Sequence, residues 1–178
     1  MIFIDYMDSP IGAIEIQASA KGVTQAIFSG TERHAIKTNK ITHSCKQQLN
    51  EYFQAKRKVF DVPLDQHGTV FQKSVWACLV NIPFGKTLSY RDIAEMLNNP
   101  KAVRAVGGAN GRNPIGIIVP CHRVIGANGT LTGYAGGIER KSWLLKHEGI
   151  EVKDSNVNDK LDIKNVIHTR QSKTQFLK

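Results

Sequence analysis

The stretch SYRDIAEMLNNPKAVRAVGGA, Ser89–Ala109, is where the fold is most legible. Ser89 suits a helix N-cap and Asp92, three residues on, comes close to a capping box, so a helix starts at Tyr90. It runs to about Leu97 and stops at Asn98-Asn99-Pro100, because Asn favours turns and Pro disfavours helical backbone just before it. A second helix starts with Pro100 or Lys101 and runs to about Ala109. Two short helices across so brief a polar turn read as a helix-turn-helix. On the second, helical spacing turns Ala102, Val103, Val106 and Ala109 to one side and Lys101, Arg104, Ala105 and Gly108 to the other. Long cations among small residues let a helix approach another surface closely. Gly107-Gly108 costs about 1 kcal/mol per glycine relative to Ala; close approach to nucleic acid is one reason for it, helix termination the other.

Upstream, Thr69 caps a helix that carries Phe71, Val75, Cys78 and Leu79 on its buried side and ends by Pro83-Phe84-Gly85. Further back the pattern changes to β. Ile2–Tyr6 is a short strand, Ser9-Pro10 begins a turn, Ile11–Ala18 partly alternates, and Lys21-Gly22 turns the chain into Val23–Phe28. Residues 41–54 are helical, with Ile41, Cys45, Leu49, Tyr52 and Phe53 near one face, and Arg57–Leu64 reads as another strand ended near Pro63. Gln66-His67-Gly68 separates a small N-terminal α/β lobe, 1–67, from a mostly helical lobe, 68–150. The remainder, 151–178, is polar, lacks periodicity and reads as a loosely ordered tail.

Downstream of the helix pair, Asn113-Pro114 leads into Ile115, Gly116, Ile117, Ile118 and Val119, which reads as buried and extended, and then into Pro120-Cys121-His122-Arg123. Cys121 thus stands at the end of a rigid segment, where a nucleophile can be aimed. A thiol needs a base or a cation to become reactive, and His122 is the candidate. Neighbours on extended chain face opposite ways, so either the backbone turns sharply at Cys121 or a water bridges the two. The plainer alternative is a structural Cys beside an unrelated His. Glu148 ends a helix that runs from Glu139 to about His147 and is capped by Gly149, where a carboxylate opposes the helix dipole. A cation or an imidazole N–H would explain it, the latter completing a Cys–His–Glu relay, although exposed glutamates at helix ends are common. Gly133-Tyr134-Ala135-Gly136-Gly137 is too irregular for a phosphate loop but offers N–H groups and one phenol to a pocket.

With 178 residues the chain forms one ordinary domain or two small lobes. Its net charge of +9 is uneven: +1 over 1–67, +6 over 68–150 and +2 over 151–178, counting Lys and Arg against Asp and Glu. That middle segment suits a polyanion, though a basic solvated surface has the same composition. Cys45, Cys78 and Cys121 make no C-x-x-C pair, which argues against disulfides or a zinc cluster and for a reducing cytoplasm. Asp5 and Asp8 interrupt the N-terminus, and no apolar run is long enough for a signal peptide or a membrane span.

Pro120-Cys121-His122-Arg123-Val124-Ile125-Gly126 resembles the active-site motif of the O6-alkylguanine-DNA alkyltransferases. The resemblance runs from about Phe71 to Gly149, through Val75-Trp76, Tyr90, Arg104-Ala105-Val106-Gly107, Asn113-Pro114, Tyr134 and Leu144–Gly149; the N-terminal lobe is similar, more loosely, to the family's ribonuclease-H-like domain. It implies irreversible, single-turnover transfer of an alkyl group from O6-alkylguanine, with O4-alkylthymine as a further substrate, to Cys121. His122 would take the thiol proton through a water, Glu148 would orient His122, Tyr134 and a loop N–H would stabilise the leaving guanine, and Asn113 would brace the Cys121 segment. It also implies a monomer that needs no cofactor and holds double-stranded DNA at the minor groove with the damaged base flipped out. Arg104 would fill the gap and Tyr90 crowd the phosphate, with Lys101, Ala105, Gly107, Gly108 and Arg112 in the same interface.

Some relatives hold zinc through cysteines of the N-terminal lobe; Cys45 alone precedes residue 78 here, so no metal is expected. Two other functions fit parts of the pattern. A thiol hydrolase would use Cys121, His122 and Glu148 with turnover, and a helix-turn-helix module without chemistry would not need Cys121.

Overall fold

Three strands, β1 (Phe3–Met7), β2 (Ile14–Ala18) and β3 (Val23–Phe28), form an antiparallel meander in the order β1-β2-β3. Phe3 pairs with Ala18 and Met7 with Ile14; Ile14 pairs with Phe28, and the register slips by one residue between Gln17 and Ala18. β2 starts three residues later than its sequence pattern indicates, because the Ser9 hydroxyl and carbonyl close a turn on Gly12, which has φ of 120°. Helix α1 (Lys40–Phe53) opens with a capping box between Asn39 and Thr42 and packs Cys45, Leu49 and Tyr52, all fully buried, against the sheet.

The computed structural model describes residues 1–153 and the backbone strand 166–167. The described residues divide into two compact units: 1–68 with 114–118, and 69–113 with 119–153. The expected strand Arg57–Leu64 does not form. Arg57 reaches the Val59 carbonyl (2.8 Å), the Asp61 N–H goes to Gln48 Oε1 (3.1 Å), and only the parallel bridge Val23–Leu64 remains. Side chains have taken the backbone groups a ladder would use.

The segment after Asn113 departs from expectation too. Ile115, Ile117, Ile118 and Val119 are buried, but the chain is not extended. Gly116 N–H donates to the Ala26 carbonyl (2.9 Å) and Ala26 N–H to Pro114 (2.9 Å), after which Ile117 turns at φ of 69° and Ile118 N–H bonds back to Gly116 (2.7 Å). A β-branched residue in that region costs roughly 1–3 kcal/mol, which burial of the surrounding isoleucines offsets. Pairing with β3 in the same unit, invisible to local pattern, imposes the turn.

In the second unit, α2 (Val70–Leu79) is capped by Thr69 and Gln72 and buries Val75, Trp76 and Leu79, whereas Phe71 and Cys78 are half-buried. The Trp76 indole N–H ties α2 to α4 at the Ala109 carbonyl (2.9 Å). Strand β4 (Leu88–Ser89) leads directly into α3 (Tyr90–Met96), whose N-cap Ser89 shares a capping box with Asp92. Asn98 then takes left-handed backbone (φ 55°) past the helix end. The second helix of the pair, α4 (Val103–Gly111), starts later than expected, because Ala102 N–H closes a turn on Asn99 and leaves Lys101 outside the helix.

A 3-10 turn, Cys121–Arg123, follows, then β5 (Val124–Ile125), which pairs in parallel with β4, Leu88 opposite Val124. Helix α5 (Ile138–His147) closes in a Schellman motif: Gly149 has φ of 84°, and Ile150 N–H returns to Leu145 (2.9 Å). Ile150 thereby joins Ile125, Leu131, Leu145 and Val152 in one apolar cluster. β6 (Glu151–Val152) pairs antiparallel with β7 (Val166–Ile167). Apart from those strands and Lys153, the loosely ordered tail read from the sequence lies outside the described residues. No helix among the described residues is long and apolar enough to cross a membrane.

Candidate active site

The Schellman ending of α5 makes Glu148 the helix C-cap and directs its side chain inward, where it is fully buried. Two partners meet it. His122 Nε2 lies 2.7 Å from Oε2, and Arg123 bridges both oxygens, Nε to Oε1 at 2.7 Å and Nη2 to Oε2 at 3.1 Å. Arg123 also donates to the Ile82 carbonyl (2.6 Å). Burial opposes the Glu148 charge, yet His122 and Arg123 together hold the carboxyl well below the usual carboxylate range.

An ionised carboxylate can only accept, so the proton between it and His122 sits on Nε2. Burial lowers the imidazole's own titration despite the Glu148 charge, so the ring is neutral at pH 7. Its Nδ1 is therefore a basic lone pair, and that atom is buried without a protein hydrogen-bond partner. The backbone at Cys121–Arg123 is a 3-10 turn rather than extended chain, and the ring is directed to Glu148.

Cys121 is 5% exposed, and burial pushes its thiol up, countered by the Asn113 side-chain amide and the Lys141 charge. Asn113 also clasps the Val119 carbonyl at 2.8 Å, two residues before the thiol. The phenol of Tyr134 titrates well above its ordinary range, chiefly through burial and then through the charge of Cys121. Cys121, His122, Glu148, Asn113 and Tyr134, drawn from widely separated positions, thus share one neighbourhood.

Lys141 was not among the residues singled out in the sequence. It is fully buried on α5, donates to the Thr132 carbonyl (2.8 Å) and lies 5.8 Å from the centre of the Tyr90 ring. Burial pulls its titration down to about 8, partly restored by Cys121. The signal was available: Lys141 stands seven residues before Glu148, two helical turns away on the face that carries Leu144 and Leu145. Arg123 was visible only as a letter of the motif.

The residues read as DNA contacts are distributed differently. Arg104, Ala105 and Gly108 are exposed on α4, Arg112 is exposed at its C-cap, and Lys101 is exposed in the turn before it. Nothing lies within 4 Å of where a Cβ on Gly108 would be, whereas one on Gly107 would meet the Tyr90 ring at 3.9 Å. Tyr90 itself is half-buried, its hydroxyl on the Thr132 carbonyl (3.2 Å). Cys45, Cys78 and Cys121 are free thiols, and among the described residues no three His, Cys, Asp or Glu side chains are grouped to hold a metal.

A buried thiol next in sequence to a neutral imidazole that a carboxylate locks in one tautomer has the groups that a cysteine nucleophile and a histidine base require. The family model described as "6-O-methylguanine DNA methyltransferase, DNA binding domain" matches residues 70–150, and its companion "ribonuclease-like domain" matches residues 2–66. A methylated-DNA–protein-cysteine methyltransferase of Methanosarcina mazei is 49% identical over 153 residues, 83% of this chain and 97% of that protein. The crystal structure of Mycobacterium tuberculosis O6-methylguanine methyltransferase is similar with a TM-score of 0.76 at 44% identity, over 83% of this chain and 93% of that one. That of Mycobacterium tuberculosis OGT in complex with DNA gives a TM-score of 0.75 at 47% identity, over 82% and 92%. The chain belongs to the methylated-DNA–protein-cysteine methyltransferase family.

Proposed function

We propose that this protein repairs DNA by direct reversal, taking a methyl or larger alkyl group from O6 of a modified guanine onto Cys121 once per molecule, with O4-alkylthymine as a further substrate. The observation that carries the reading is the His122–Glu148 pair at 2.7 Å, with a buried Nδ1 that has no protein partner, next in sequence to the buried Cys121. The Cys121 proton passes through a water to His122 Nδ1, and Glu148 stabilises the imidazolium. The thiolate attacks the alkyl carbon, the carbon–sulfur bond forms as the carbon–O6 bond breaks, and the electron pair leaves on the guanine. Tyr134 and a loop N–H stabilise that anion, which takes up a proton at the ring. The thioether has no leaving group that water can displace, so the protein is spent.

Exposure of Arg104, Ala105 and Gly108 on one face of α4 supports docking of α3–α4 as a helix-turn-helix against the DNA minor groove, with the basic excess of 68–150 on the phosphates. Guanine O6 opens onto the major groove, whereas Cys121 is buried and the helix pair approaches from the minor groove, so the base must flip out to meet the thiol, at a cost of a few kcal/mol that is least for a poorly paired lesion. Arg104 fills the gap, Tyr90 lies against the flipped nucleotide's phosphate, and Lys101, Ala105, Gly107, Gly108 and Arg112 hold the backbone. The protein acts as a monomer without cofactor, in a reducing cytoplasm that keeps Cys121 a thiol.

The test is to mix the protein with a duplex carrying one O6-methylguanine, weigh the intact protein and map the adduct. One methyl group on Cys121, gained once and absent in Cys121→Ser, is the expected result. A protein that binds the duplex but gains no mass sinks the transfer reading and leaves the binding module.

A further inference from the structure

Asn110, near the end of α4, is 2% exposed and donates its Nδ2 to the Cys121 carbonyl at 3.3 Å. Its Oδ1 is buried without a hydrogen-bond partner. A side chain of similar volume without polar atoms would fill this place and bury no unsatisfied oxygen, so packing alone does not account for an amide. The bond it makes does. The Cys121 carbonyl belongs to the peptide that joins Cys121 to His122, and the tilt of that peptide sets both where Sγ leaves the backbone and where the imidazole begins. From the preceding side the turn is held by Cys121 N–H on Val119 (2.8 Å), and Val119 is itself clasped by Asn113. Asn110 supplies the hold from the helix.

The same helix exposes Arg104, Ala105 and Gly108 on its outer side. One rigid element thus carries a face open to a partner and, on its inner face, a grip on the nucleophile's backbone. Resting on the repair reading above, we infer that Asn110 is a positioning residue that ties the DNA-docking helix to the Cys121–His122 peptide, so that seating α4 and aiming the thiol share one mount. It touches no reacting atom and acts through the tilt of that peptide.

The test uses the full chain with Asn110→Leu, which removes the amide at similar volume, and Asn110→Asp, which keeps the shape and removes the donor. Three measurements separate aim from packing: melting temperature, affinity for undamaged duplex, and single-turnover methyl transfer with the duplex already bound. A fourth, the pH dependence of Cys121 alkylation by iodoacetamide in the free protein, mapped by peptide mass, needs no DNA. We expect Asn110→Leu to melt no lower than the parent and bind duplex within about twofold, yet transfer roughly tenfold to a hundredfold more slowly, the scale of a misaligned reacting group. Its alkylation profile should shift along the pH axis, and Asn110→Asp should be slowed as well. Transfer at the parent rate, or a slowing matched by lost melting temperature or duplex affinity, would overturn the assignment. If the parent protein transfers nothing, the repair reading fails, and the alkylation profile still decides Asn110: a shift upholds its hold on Cys121, an unchanged profile removes it.

Discussion

Replacing Lys141 by Met removes an ammonium that sits in the interior without a carboxylate among its contacts on Thr132 and Tyr90. Burial pulls its titration from the ordinary 10.5 to about 8, so its charged form costs about 3 kcal/mol in the folded state at pH 7. The variant loses a hydrogen bond to Thr132 worth about 1 kcal/mol, but that carbonyl keeps the Tyr90 hydroxyl at 3.2 Å. Lys141→Met should therefore gain about 2 kcal/mol, or about 4–8 °C in melting temperature for a chain of this size. The sign of the pH dependence is fixed. Below about 8 the lysine is charged in both folded and unfolded chains and the full penalty applies; between about 8 and 10.5 the folded protein releases the proton first, and its stability climbs; above 10.5 the penalty is gone. The advantage of the variant should be constant below pH 8 and shrink on approach to 10.5. Because the Lys141 charge favours the Cys121 thiolate, the stabilised variant should also transfer methyl groups more slowly. Thermal denaturation of both proteins from pH 6 to 10, with single-turnover transfer at each pH, reads all three effects. A variant less stable at pH 7, or an advantage independent of pH, refutes the reasoning.

Glu148→Gln should abolish transfer and destabilise the protein by roughly 3–5 kcal/mol, because it leaves the buried Arg123 guanidinium without its counter-charge. The Glu148 carboxyl is depressed on folding, so its contribution is present above about 4.5 and fades as pH falls below that; urea denaturation should show parent and variant converging in acid. Gly22→Ala would place a Cβ 2.6 Å from the Leu64 carbonyl carbon and 2.8 Å from Pro63 O, all main chain, and should cost about 1–3 kcal/mol by denaturant titration. Arg104→Ala, on the exposed face of α4, should leave stability within about 0.5 kcal/mol. It should slow repair of a duplex lesion, and lower the salt slope of duplex binding by about 1 if Arg104 also neutralises a phosphate.

What the sequence determined by itself was whatever a few neighbouring residues could settle. Thr69, and Ser89 with Asp92, start helices, Asn98-Asn99-Pro100 stops one and Gly149 caps another, because each acts on backbone groups within a turn of itself. Cys121, His122 and Glu148 were legible as a set through residue type and motif, since the chemistry of a thiol demands a base and the base an orienting acid. Tertiary structure decided the rest. Arg57–Leu64 has the composition of a strand but loses its backbone partners to Gln48 and to its own Arg57. Ile115–Val119 is β-branched enough to be extended, yet pairing with Ala26, nearly ninety residues earlier, forces Ile117 into a left-handed turn. The clamp of Arg123 on Glu148, the burial of Lys141 against Thr132 and the grip of Asn110 on Cys121 all depend on which surfaces meet. Caps and periodicity are local energies that a short segment carries with it, whereas a buried charge or an orphaned amide acquires its partner, and its pKa, only when distant parts of the chain close around it.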